Sequence, residues 1–116
     1  MFYKNNETQG YVELIEGISI KTIAYGEKTL TAKFVLCKGS SLPLHKHPHE
    51  QTGILVSGKM EFDIGGQKVL AEPGDGWNIE ANVIHGAEVL EDSKVIEVFA
   101  PVRVDYLPQN LERKKQ

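Results

Sequence analysis

The sequence predicts an all-β barrel or sandwich, and three observations carry that prediction. About nine short β-type segments follow one another at even spacing, separated by Gly, Asn, Asp and Pro. Before the last dozen residues no stretch repeats its apolar positions at the 3.6-residue period of a helix. The 116 residues, 41% hydrophobic and 25% charged, hold enough apolar material for one core and not for two, so residues 1–116 read as a single domain.

Taken in order, residues 1–10 form a polar, loosely ordered segment without the apolar run of a signal peptide. Residues 11–15 and 18–25 flank Glu16-Gly17, a turn signal. Residues 29–37 alternate, with Leu30, Ala32, Phe34 and Leu36 on one face and Thr31, Lys33, Val35 and Cys37 on the other. Cys37 is the only cysteine, which excludes an intrachain disulfide and a thiolate cluster; it reads as a small buried apolar residue. Residues 39–44 read as a loop, and the His-rich run that follows starts the next strand.

Residues 53–57 and 59–64 form two segments around Gly58; in the second, Met60, Phe62 and Ile64 share a face and Glu61 and Asp63 oppose them. Gly65-Gly66 makes a hairpin turn into residues 67–70. After the turn Pro73-Gly74-Asp75-Gly76, residues 77–79, 84–90 and 94–100 complete the strands, with Met60, Phe62 and Trp77 as core or lumen wall. Tyr25 and Lys59 are candidates for the barrel mouth. Residues 105–116 are a C-terminal tail with room for a short helix.

Residues 94–100 are apolar on both faces: Val95 and Phe99 on one, Ile96, Val98 and Ala100 on the other. Such a strand must be covered twice, and in so small a chain the second cover is read as another copy, giving a homodimer. A net charge of −3, with Arg113-Lys114-Lys115 as the only basic run, predicts no nucleic-acid surface. No stretch approaches the roughly 20 apolar residues of a membrane span, so a cytoplasmic location is expected.

The chemistry-bearing residues gather in two stretches. His45, His47 and His49, three of the four histidines, precede Glu50 and Gln51; the fourth, His85, ends the run G-D-G-W-N-I-E-A-N-V-I-H. His45 and His47 are one residue apart, so on a strand both imidazoles leave the same face. Gln51 can reach the same point past Pro48, and His85 can close the set. Neutral imidazoles suit Zn, Ni, Fe or Cu. A His-rich surface loop accounts for a lone H-x-H pair just as well, but not for the glycines around both stretches.

Further on, Glu97, Phe99 and Arg103 share parity with Val95 if the extended run continues through Pro101. A carboxyl group between Val95 and Phe99 is pulled toward its neutral form by desolvation and toward its charged form by a nearby cation, which suits a general acid/base. Arg103 offers a two-pronged contact for a carboxylate. A mutual Glu97–Arg103 pair, or a surface location for both, fits these residues equally.

The stretch G-S-S-L-P-L-H-K-H-P-H-E-Q-T-G-I-L-V-S-G resembles the first cupin motif, G-x5-H-x-H-x3-4-E-x6-G, and Gly74 to His85 resembles the second, G-x5-P-x-G-x2-H. The resemblance covers nearly the whole chain. It implies a cupin (RmlC-like) double-stranded β-helix, or jelly-roll barrel. It also implies one divalent transition metal (Zn, Ni, Fe or Mn) held by His45, His47, Gln51 and His85, with Glu50 as rival third ligand and His49 beside the ligands or exposed. Gln51 stands where most of the family has Glu, and residues 79–82 lack the expected Pro and Gly. Three imidazoles and an amide leave the metal's +2 charge uncompensated, which favours an anionic or enolate-like ligand.

The pattern H-x-H-P-H-E-Q, the Gly-Gly hairpin and the ending D-S-x-x-x-[DE]-x-F-x-P-x-R look like the KdgF-type cupins of pectin and alginate breakdown. These convert 4,5-unsaturated monouronates to linear keto forms. The resemblance implies a small anionic sugar acid as substrate, with Glu97 as acid/base, Phe99 lining the site and Arg103 on the carboxylate. Glu97 replaces a more usual Asp. A metal-dependent dioxygenase and a non-catalytic sugar- or metal-binding module are the competing expectations. A DNA-binding regulator is not expected, since no segment of helix-turn-helix size is present.

Overall fold

The computed structural model describes residues 1–114. The strands run in the order β1 (Val12–Ile15), β2 (Ile18–Tyr25), β3 (Leu30–Leu36), β4 (Ser41–His45), β5 (Glu50–Ile64), β6 (Gln67–Ala71), β7 (Gly76–Ile79) and β8 (His85–Ala100). A short 3-10 turn, Val104–Tyr106, leads into α1 (Pro108–Lys114). Lys115 of the predicted basic run, and the end of the predicted tail, lie outside the described residues.

Two long strands organise the molecule. β5 and β8 pair antiparallel from Glu50↔Ala100 to Ile64↔His85, and each changes its other neighbour halfway along. The first half of β5 takes β7, and the second half takes β6. The first half of β8 takes β4, and the second half takes β3, which continues through β2 to β1. This makes two leaves that share a bent spine, and their inward faces enclose one core of Ile18, Ile20, Leu30, Leu55, Met60, Val89 and Val95. All pairings are antiparallel, as the expected barrel requires.

Two fusions in the spine and one added strand, β4, turn the expected nine into eight. The segments on either side of Gly58 fuse into β5, and those on either side of residues 91–93 fuse into β8. Register shifts at Leu55/Ser57 and Lys59/Met60 mark the bend, and Gly58 takes φ +99°, where an added Cβ would lie 2.1 Å from Ser93 Oγ. Only glycine turns the chain there without ending the strand.

Two further expectations change. Residues 41–44, read as loop, form edge strand β4 together with His45, and the run from Lys46 to His49 is the connection instead. Pro48 lacks an N–H and cannot continue the ladder, so the histidines sit on a strand end and a loop, not on one strand. Cys37 is exposed, not buried: Leu36 takes the last inward position of β3, and the chain leaves the sheet at the next residue.

The alternation read along β3 holds, with Leu30, Ala32, Phe34 and Leu36 buried. Residues 1–10 form no strand, yet Tyr3 Oη donates to the Tyr25 carbonyl at 2.8 Å and Asn5 Nδ2 to that of Ile23 at 3.0 Å. Tyr25 therefore packs beneath this segment, and Lys59 sits at the β5 bend opposite Glu91; neither lines the barrel mouth. Among the described residues no helix is long and apolar enough to cross a membrane.

Candidate metal centre and acid–base cavity

Each imidazole of the candidate metal set is oriented by backbone close to it in sequence. His45 Nδ1 lies 2.8 Å from the Pro43 carbonyl, His47 Nδ1 3.0 Å from that of His49, and His85 Nδ1 2.8 Å from that of Val83. A carbonyl only accepts, so each Nδ1 carries the proton and each Nε2 keeps a bare lone pair. His45 and His85 are register partners across β4 and β8, with ring centroids 4.3 Å apart; those of His47 and His85 are 5.0 Å apart.

The ligating atoms of the three rings lie within 4.8 Å of one another, close enough to share one metal ion. Nε2 of His47 and of His85 is buried with no hydrogen-bond partner among the described residues. A buried polar atom is costly unless something satisfies it. Two orphaned lone pairs that converge with a third are satisfied by a cation, so the residues fit a divalent metal.

Electrostatics favours the form a metal needs. Burial, then the Arg103 charge and His85, lowers the His47 pKa to about 4. Burial also lowers that of His85. Both imidazoles therefore remain neutral at ordinary pH. His49 is half-buried with its Nδ1 unpartnered, beside His47 rather than among the converging rings.

Gln51 and Glu50 are separated by the strand's alternation. Gln51 faces inward and is 6% exposed, whereas Glu50 is exposed on the other face of β5, aimed away from the rings. Gln51 Nε2 donates to Glu97 Oε2 at 2.6 Å. That bond orients the amide, leaving its carbonyl oxygen as the atom able to complete the metal set.

Glu97 is 8% exposed and lies on the inward face of β8 between Val95 and Phe99. Its Oε2 accepts a second bond, from Trp77 Nε1 at 2.9 Å. Burial raises its pKa, and the two donors and the Arg103 charge oppose that rise. The net shift is upward, so burial outweighs the donors and draws the carboxyl group toward its neutral form.

Arg103 reaches the same cavity by another path. The extended run stops at Ala100, the Ala100–Pro101 bond is cis, and the chain turns before Arg103. The guanidinium is not paired with Glu97. Its Nε and Nη2 donate to the two carboxylate oxygens of Asp105, each at 3.2 Å. It lies 4.0 Å over the Tyr106 ring and 5.2 Å over that of Phe99. His45, Gln51, His85, Glu97, Phe99 and Arg103 all line one cavity, with Tyr106 on its wall.

Trp77, Asp105 and Tyr106 were not singled out for the site on sequence grounds. Trp77 was visible as lumen wall, but its bond to Glu97 depends on strand register. Asp105 and Tyr106 fall in the tail, where parity arguments end with the strand. Burial pushes the Tyr106 phenol up to about 12, so it stays protonated.

Several known proteins share this architecture. KdgF from Halomonas sp. aligns with a TM-score of 0.85 at 32% identity, covering 92% of this chain and 100% of that one. An RmlC-like cupin from Shewanella frigidimarina NCIMB 400 aligns with a TM-score of 0.85 at 22% identity, covering 90% and 95% of the two chains, a likeness of fold alone. The H2HPP isomerase of Bacillus subtilis is 36% identical over 67 residues, 56% of this chain; the chain spans only 28% of that protein's length. The cupin domain (Cupin_2) matches residues 32–100, more than half of the sequence and every segment that holds one of the three imidazoles. The chain belongs to the cupin domain family.

Proposed function

We propose that this cupin ketonises 4,5-unsaturated monouronates in the cytoplasm, during the breakdown of pectin or alginate. One observation carries the reading: a buried carboxyl group, held by two donors, lies in the same cavity as three converging imidazoles and an arginine. The likeness to KdgF, at 32% identity over all of that chain, supports the substrate class. The relative from Bacillus subtilis is named an isomerase, in keeping with a reaction that rearranges bonds and protons without adding or losing atoms.

The step is an isomerisation and balances without a co-reactant. Opening of the sugar ring breaks the C1–O5 bond: the hemiacetal proton leaves O1, O5 takes one up as the enol hydroxyl, and C1 becomes an aldehyde. The enol at C5 then loses its hydroxyl proton while C4 gains one, leaving a ketone. Glu97 exchanges these protons with the substrate: burial favours its neutral form, and the two donors and the Arg103 charge oppose that. Arg103 binds the substrate carboxylate with the N–H groups that Asp105 leaves free, and Phe99 walls the site. His45, His47, His85 and the Gln51 carbonyl would hold a divalent metal, which when bound supplies Lewis-acid polarisation of a substrate oxygen.

We further propose that two copies pair through the outer face of β8. Ile96 and Val98 are half-buried there, and the adjoining Ile54, register partner of Ile96, is 43% exposed.

The deciding experiment follows the ultraviolet absorbance of the conjugated alkene when metal-analysed protein meets unsaturated monouronate. Faster decay than the spontaneous reaction is expected. An unchanged rate rejects the ketonisation reading. Oxygen uptake by the iron-loaded protein would point to a dioxygenase, and uronate binding without turnover to a binding module.

A further inference from the structure

The row of residues that crosses the sheet at Glu97 has an unusual composition. β8, β5 and β7 place Glu97, Gly53 and Trp77 side by side, as direct register partners. On the other side of Glu97 stands Ala32 of β3. The carboxyl group is thus flanked by the two smallest side chains, and the indole reaches it from two strands away.

Gly53 makes that reach possible. Its φ is not in the left-handed region, so the backbone there would accept any residue. Space is what forbids one: a Cβ at Gly53 would lie 2.5 Å from Trp77 Nε1, 2.6 Å from Cε2 and 2.7 Å from Cζ2. The indole occupies the volume of the missing side chain, crosses β5 over the bare Cα and places its N–H 2.9 Å from Glu97 Oε2. The ring's other flank rests on Phe62, with centroids 4.4 Å apart. The indole is therefore pinned between a strand and an aromatic ring, with its one donor aimed at the acid.

We infer that Trp77 is a positioning residue for Glu97, and that Gly53 is the position that admits it. The proposal rests on the reading of Glu97 as the proton-transferring group. Trp77 is not among the residues that line the cavity; it and Gln51 both donate to Oε2, so the same oxygen is tied twice and Oε1 is the oxygen left to exchange a proton. A tether of this kind matters because small displacements of a reacting group cost up to about 100-fold in rate.

The chain has one tryptophan, so it has one indole N–H resonance. In Glu97→Ala that resonance is expected to move and its exchange with solvent to quicken, while the backbone spectrum stays dispersed. An indole signal unchanged in position and exchange overturns the tether. Trp77→Phe keeps an aromatic ring without the donor, and Gly53→Ala displaces the indole without touching Glu97. Each is expected to lower kcat by about 10–100-fold on unsaturated monouronate, with KM within about twofold and metal content retained. The double variant should be no slower than the worse single one, because both act through one bond. Wild-type kcat in Trp77→Phe, or a loss carried by KM alone, overturns the positioning role. Should the wild-type protein fail to turn over the uronate at all, the ketonisation reading falls, and the indole resonance still decides the tether.

Discussion

At the scale of single residues the site divides the work of charge. Position 51 carries an amide where a carboxylate is common among cupins, yet a carboxyl group stands one hydrogen bond further away, at Glu97. Under the proposed ligand set the metal's ligands are all neutral, and the ionisable group beside them is Glu97, whose pKa burial raises. Glu97→Gln keeps the shape and removes the capacity to ionise, so turnover should fall by about 10²–10⁴-fold while bound metal stays the same. Turnover equal to wild type would remove Glu97 from the mechanism. His47 supports a second expectation. Above its ordinary pKa of 6.5 it is neutral both folded and unfolded; between 6.5 and about 4 the unfolded chain takes up a proton that the fold refuses. Metal-free protein must therefore lose stability as pH falls through that window. Urea midpoints at pH 7 and pH 5 test this, and His47→Gln should show the smaller loss; an equal loss would clear His47 of the effect. The ligand histidines and Glu97 were legible in the sequence because motif spacing and strand parity act locally. The Gln51–Glu97 and Trp77–Glu97 bonds were not, as they join residues 46 and 20 positions apart.

At the scale of elements, the bend in the spine decides where the site can form. β5 and β8 each serve two leaves, and the inward positions of their β3- and β7-paired halves carry Gln51, Glu97 and Phe99. The imidazoles come from the end of β4, the connection that follows it and the start of β8. Gly58 makes the bend, with a left-handed φ and with Ser93 Oγ and the Asp92 carbonyl where a Cβ would be. Ser93 Oγ in turn accepts the Lys59 N–H at 3.1 Å, tying the two strands at their shared bend. Gly58→Ala should cost at least about 2 kcal/mol, from an unfavourable φ added to a steric overlap. A urea unfolding curve reads this directly, and a loss below about 0.5 kcal/mol would show that the bend tolerates a side chain. The sequence marks Gly58 as punctuation, and punctuation reads as a break between strands. Whether a glycine ends a strand or bends it depends on what pairs opposite, which no local pattern contains.

At the scale of the whole molecule, the outer face of the larger leaf is the feature still without a partner. Ile54, Val56 and Ile96 lie on it, the first two 43% and 45% exposed. Exposed apolar groups in one patch of a small protein favour association. Wild-type protein should sediment as a dimer, and Ile54→Lys as a folded monomer; a monomeric wild type would refute the pairing. The all-β class was legible because turn chemistry and alternation repeat along the whole chain, whereas the exchange of neighbours along β5 and β8 is a property of three-dimensional closure. That closure also sets two kinds of dependence within one cavity. Each imidazole is aimed by a carbonyl two residues away in its own segment, and β4 beside β8 already pairs His45 with His85. Glu97 is aimed by side chains borrowed from β5 and β7, so it is in place only when three strands have zipped. A chain damaged at the β7 edge would keep His45 and His85 paired and yet lose the aim of Glu97. Metal content would then certify a preparation that cannot turn over, and the fraction of active molecules has to be counted by the reaction itself.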